Sequence, residues 1–134
     1  MATLHCEIMT PEGSAFSGDV GMIVVPGSDG ELGVLPRHQP IVARLDVGEV
    51  RLRISSSEWR SFAISDGYFS MQGERALVLV EGAVASDAID TTAVQVLVDD
   101  ARARLAQTEG DSAEHFRAQR DLEFAENQIA IAGR

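Results

Sequence analysis

Lysine is missing from this chain. All eleven basic residues are arginine, set against twenty-one acidic ones for a net charge of −10. A surface this acidic does not gather phosphate backbones, which excludes nucleic acid as a principal partner. The arginine-only usage is accounted for by coding bias and implies no function of its own. Cysteine occurs once, at Cys6 in an alternating strand pattern. That excludes an internal disulfide and suits a buried structural thiol better than a nucleophile. Aromatic residues are only 5% of the chain, little ring surface with which to line a ligand pocket. No apolar run approaches the ~20 residues of a membrane span, and no basic stretch followed by an apolar one opens the chain. The expectation is a cytoplasmic protein with no direct membrane insertion.

Catalytic patterns are lacking as well. There is no phosphate loop, no Gly-x-Ser-x-Gly elbow, no His-Glu-x-x-His and no Cys-x-x-Cys. His5, His38 and His115 fall in three different elements without a second ligand nearby, so neither a metal site nor a cofactor is expected. His5 reads as a solvated strand residue and His115 as exposed on an acidic helix. Asp99 and Asp100 are adjacent in a helical pattern and point to different faces, a solvated surface and not an acid–base pair. Trp59 reads as a cross-strand packing residue beside Arg60, and Ser55-Ser56-Ser57 as a hairpin tip.

What is present divides the chain in two. Its 134 residues are 45% hydrophobic and 24% charged, a globular composition able to bury roughly two thirds of its unfolded surface. Ten of the twelve glycines and all four prolines lie before residue 87. There Leu4, Cys6 and Ile8 alternate with His5, Glu7 and Met9, and Val50, Leu52 and Ile54 with Glu49, Arg51 and Arg53. Phe62 and Ile64 alternate with Ser61 and Ala63. Period two with turn signals between the runs predicts one-face-buried strands. Further strands are expected at 21–25, 41–44, 68–71 and 76–81. Residues 1–86 are therefore expected to form an antiparallel β-sandwich or flattened barrel of about ten strands.

In residues 87–134 the period lengthens. Val94, Val98, Ala101 and Leu105 form one seam, and Ala118, Leu122, Ala125, Ile129 and Ala132 another. They predict an antiparallel helical hairpin over 88–132, with Asp90 capping its first helix, Gly110 stopping it, and Asp111 or Ser112 capping the second. The seams are narrow, so the pair must rest on the sandwich or on another protein. Two readings stand side by side: a permanently packed structural pair, or an element that changes partners.

One stretch stands apart, Gly30-Glu31-Leu32-Gly33-Val34-Leu35-Pro36-Arg37-His38-Gln39-Pro40. Two glycines bracket a short apolar step, and two prolines pin a loop carrying Arg37 and His38. A stiff polar loop at a strand end suits docking on a partner. For His38, a bond that pins the loop and a partner contact both remain open.

This stretch resembles the Gly-Glu-Leu-Gly-x-x-Pro-x-His-x-Pro signature of the epsilon subunit of rotary F-type ATP synthase. The likeness runs along essentially the whole chain, through Pro11-Glu12-Gly13, Asp66-Gly67-Tyr68-Phe69 and Ile89-Asp90. It implies a non-catalytic central-stalk subunit, peripheral on the cytoplasmic face of the cell membrane. The sandwich would bind the gamma shaft and the polar loops of the c-ring, coupling proton-driven rotation to the catalytic head. Glu31 and His38 would lie near the ring loops, with Leu32, Gly33, Arg37, Gln39 and Pro40 completing the contact edge. The hairpin, with Arg117 and Arg120, would restrain ATP hydrolysis by reaching the catalytic beta subunits when extended. Members that bind ATP carry Ile-Asp-x-x-Arg-Ala; here Ile89-Asp90-Thr91-Thr92-Ala93-Val94 lacks the arginine, and Phe124 and Gln128 stand where two more arginines would be. No tight nucleotide site is expected. Arg117 and Arg120 are offset by Glu114, Asp121, Glu123 and Glu126. The alternative from another class is a stand-alone β-sandwich that binds a small ligand.

Overall fold

The computed structural model describes residues 2–133; residues 1 and 134, included in the two expected domain ranges, lie outside them. Ten strands precede two helices. The strands are β1 (Leu4–Thr10), β2 (Gly13–Val20), β3 (Met22–Gly27), β4 (Gly30–Val34), β5 (Ile41–Leu45), β6 (Gly48–Arg53), β7 (Trp59–Ile64), β8 (Gly67–Gln72), β9 (Arg75–Val80) and β10 (Ala83–Ala85). A 3-10 turn at Ser86–Ala88 leads to α1 (Thr91–Gln107) and α2 (Ala113–Ala132).

The strands join in the order β10-β7-β6-β3-β5-β8-β9-β1-β2, with β4 also on β3. The expectation of an antiparallel sheet needs one correction: β1 pairs with β9 in parallel, Cys6 opposite Ala76 and Ile8 opposite Val78. The two strands come from opposite ends of the sandwich sequence, so no hairpin constrains their direction. The alternation resolves as expected elsewhere. Leu4, Cys6, Ile8, Val50, Leu52, Phe62 and Ile64 are buried in one core with Phe69, Met71 and Val78. Phe16 meets Phe62 edge to face at 5.9 Å. Ala63, an outward alternate by pattern, is fully buried, because α2 packs against β7.

The helices form a separate small core of Val94, Val98 and Ala125, with Ile89, Leu122 and Ile129 against it. Asp90 caps α1, its carboxylate accepting the N–H groups of Thr92 and Ala93 at 3.1 Å. Ser112, not Asp111, caps α2 by accepting from His115 N–H at 3.1 Å. The stop of α1 is not Gly110. The helix ends at Gln107 and Thr108 caps it, its hydroxyl donating to the Arg104 carbonyl at 3.0 Å. That hydroxyl also lies 2.9 Å from His115 Nδ1, so His115 is a half-buried loop fastener and not an exposed residue. His5 likewise is half-buried, 3.3 Å from Asp19. Trp59, expected as a cross-strand residue, stands opposite Arg53 at the start of β7 and is 47% exposed.

Candidate functional site

The edge carrying the distinctive stretch is built by two local devices. The β3–β4 hairpin turns at Gly30, whose φ of +125° is open to glycine and strained for other residues. Gly33 is flat for a different reason: a Cβ there would lie 2.9 Å from the Met22 Cε that covers it. Between them Glu31 points outward and takes the Arg51 guanidinium at 3.0 Å. Leu32 is half-buried and packs against the core, so it anchors β4.

After the buried Val34, the chain turns at Leu35–His38, where His38 N–H donates to the Leu35 carbonyl at 3.1 Å. Proline occupies the second position and Arg37 the third with φ +68°. Proline cannot take positive φ, so this is a type II turn, which calls for glycine where Arg37 stands. The left-handed backbone at an arginine costs about 1 kcal/mol. His38 Nδ1 lies 2.7 Å from the Gln39 carbonyl; a carbonyl only accepts, so this nitrogen donates and the ring is fixed. The pinning reading of His38 is thus realised, while Nε2 forms no hydrogen bond among the described residues. Glu31 and Gly33 lie on β4, and Arg37, His38, Gln39 and Pro40 on the loop that joins it to β5; all six are at least partly exposed.

A second surface was not read from sequence. On the outer face of β5, β8, β9 and β1, Arg44 stands opposite Tyr68, Tyr68 opposite Leu79, and Leu79 opposite Met9. Val42 is 72% exposed, Tyr68 58% and Leu79 47%. The signal was the apolar character of alternates that a solvated face would make polar.

The third region is the seam between α2 and the sandwich. The hairpin lies folded on the sandwich. Arg120 donates to Asp66 at 2.8 and 3.2 Å, Asn127 donates to the Gly48 carbonyl at 2.8 Å, and Phe124 sits directly over Gly82. Residues 120, 124 and 127 share one helical face. Beside them opens a cleft of about 660 Å³ lined by Ser65, Glu81, Arg104, Arg117 and Phe124, among others. Its arginines are largely engaged: Arg104 pairs with Asp100 and Asp121, and Arg120 with Asp66. Of the two expected hairpin residues, Arg120 is therefore committed to the sandwich and Arg117 is exposed. At the start of α1, Asp90 is occupied as a cap and Ala93 is exposed.

Among the described residues no cluster of metal-ligating side chains occurs, and no helix is long and apolar enough to cross a membrane. Burial holds the Cys6 thiol up at about 12, with the Glu7 charge adding to the effect.

Comparison with known proteins bears on the whole chain. The family model for the ATP synthase delta/epsilon chain β-sandwich domain matches residues 3–86. The ATP synthase epsilon chain of Halalkalibacterium halodurans is 37% identical over 134 residues, all of both chains. That of Xanthomonas campestris pv. campestris is 36% identical over 129 residues, 96% of this chain and 91% of its own. By structure, the chain is similar to one in the Euglena gracilis mitochondrial ATP synthase assembly of OSCP, F1 and c-ring, with TM-score 0.74 at 21% identity, covering 97% of this chain and 81% of that one. A chain of the Tetrahymena thermophila central stalk and c-ring gives TM-score 0.57 at 12% identity, covering 96% and 95%. These two likenesses speak to the fold, and the full-length sequence relationship leaves the stand-alone ligand-binding alternative without support. The chain belongs to the epsilon-chain family of ATP synthase.

Proposed function

We propose that this chain is a non-catalytic stalk subunit that couples rotation of the c-ring to the catalytic head. One observation carries the reading: a single rigid core presents two different exposed surfaces, the turn-held polar edge from Glu31 to Pro40 and the apolar face of Val42, Tyr68 and Leu79. Polar ring loops suit the first. A permanent shaft contact suits the second, because lasting interfaces are the more apolar ones. The gamma subunit is thus assigned to the apolar face and the c-ring to the edge. The division of labour follows the two cores, with residues 1–86 assembling and 87–134 regulating. In the folded state Arg120 is held by Asp66, which keeps it from the beta subunits until the hairpin releases. The subunit would then sit peripherally at the cytoplasmic face of the cell membrane.

The test is binding of full-length variants to the gamma–c-ring assembly of the same organism. Glu31→Ala/His38→Ala should keep the wild-type melting curve and weaken binding. Tyr68→Asp should abolish capture by gamma alone, since a charge in an apolar contact is left unpaired. Double and single variants that both fold and both bind like wild type would end the proposal.

A further inference from the structure

We infer that Arg37 is the residue through which the polar edge reads a carboxylate on the partner. The inference rests on the proposed docking role of that edge and adds the chemistry of the contact. Of the edge's other polar groups, the Glu31 carboxylate is engaged within the chain, while the Gln39 amide and His38 Nε2 have no partner among the described residues but lack the paired N–H donors of a guanidinium. The Glu31 carboxylate holds Arg51 at 3.0 Å, which leaves it near neutral to an approaching surface. The His38 ring is fixed through Nδ1 on its neighbour's carbonyl at 2.7 Å. Arg37 differs: it is exposed and forms no ion pair or side-chain hydrogen bond among the described residues.

Its backbone adds a second, independent observation. Arg37 is the one non-glycine residue with positive φ among the described residues, at +68°. It stands at the turn position where glycine would be free of strain. Backbone strain of this kind clusters at binding and switch sites. Here the neighbouring Leu35 is also exposed, so the turn tip offers a guanidinium beside an apolar shoulder. Guanidinium binds carboxylate through two parallel N–H donors. A carboxylate on a polar ring loop would therefore complete the edge. On a chain of net charge −10, one unpaired cation at the tip also sets which way the edge faces an acidic site.

The experiment separates folding from docking. Arg37→Gly, Arg37→Lys and Arg37→Glu are made in the full chain and titrated against the gamma–c-ring assembly stripped of this subunit, at ~50 and ~500 mM salt. Arg37→Gly should melt at the wild-type temperature or up to about 4 °C above it, as turn strain is relieved. It should nonetheless bind about tenfold more weakly at low salt, and the salt dependence should shrink. Arg37→Lys should retain most of the affinity, and Arg37→Glu should bind most weakly of all. Wild-type affinity of Arg37→Gly at both salts, with Glu31→Ala/His38→Ala still weakened, would overturn the assignment of Arg37 and leave the docking edge standing. Wild-type affinity in all of these variants would overturn the docking edge itself.

Discussion

Changing Gly82 to alanine should loosen the hairpin from the sandwich while sparing both cores. Gly82 is tied on each side, its N–H donating to Ser65 Oγ at 2.9 Å and its carbonyl accepting from Ser65 N–H at 3.0 Å. It cannot retreat. A Cβ there would lie 2.6 Å from Phe124 Cε2 and 3.0 Å from Cζ, against an ordinary carbon contact of ~3.5–4.0 Å. The ring must withdraw by about 1 Å, and overpacking of this kind costs about 1–3 kcal/mol. The contacts that hold α2 down are few. The Arg120–Asp66 pair, both partners over a third exposed, contributes about 0.5–1 kcal/mol after solvent screening. The Asn127 bond adds about 1 kcal/mol and the half-buried Phe124 about 1–1.5 kcal/mol. The clash is therefore comparable with the sum of these three contacts, and the docking equilibrium constant should fall roughly 10- to 100-fold. Amide exchange followed by mass spectrometry should show faster exchange across residues 113–132 and unchanged protection in β6 and β7. Wild-type exchange in α2 would refute the reasoning. So would equal loss in the strands, because Gly82 would then be a core residue of the sandwich and not the seat of the hairpin.

Three further outcomes are expected. Cys6 keeps its proton to about 12 in the fold, against 9.0 in an unfolded chain, so its contribution is intact below pH 9, and stability is lost as pH rises from 9 towards 12. Cys6→Val should flatten that part of the alkaline decline, and native protein should resist iodoacetamide at pH 8; rapid alkylation would contradict the burial argument. Removing residues 88–134 should leave a cooperatively folding sandwich that still binds gamma, since the larger core draws on no helical residue, and should raise ATP hydrolysis by the complex modestly or not at all; a truncated chain unable to bind gamma would refute the separation. Isothermal titration of the full chain with ATP and magnesium should give no saturable heat at micromolar concentrations, because the cap at Asp90 is occupied and neither Ala93, Phe124 nor Gln128 supplies the cations a triphosphate needs. A one-to-one isotherm abolished by changing Asp90 would show that other residues have rebuilt the site.

Much of the molecule is written in consecutive residues. The switch from period two to period 3.6 after residue 86 separates strands from helices, and the alternation of Leu4, Cys6 and Ile8 states which face is buried. Asp90 as a cap, Gly30 as a turn and the paired prolines around Arg37 and His38 are equally local, because each acts through its own φ, donor or acceptor. Tertiary structure alone decided what depends on distant elements meeting. The parallel pairing of β1 with β9, the ion pair from Arg120 to Asp66 across 54 positions and the seat of Phe124 on Gly82 leave no periodic trace. The exposed face of Val42, Tyr68 and Leu79 is hinted at by its apolar alternates but becomes one surface only when β5, β8 and β9 lie side by side. Local periodicity fixes which way a side chain points; only the packed chain fixes what it points at, because that depends on which elements close around the core.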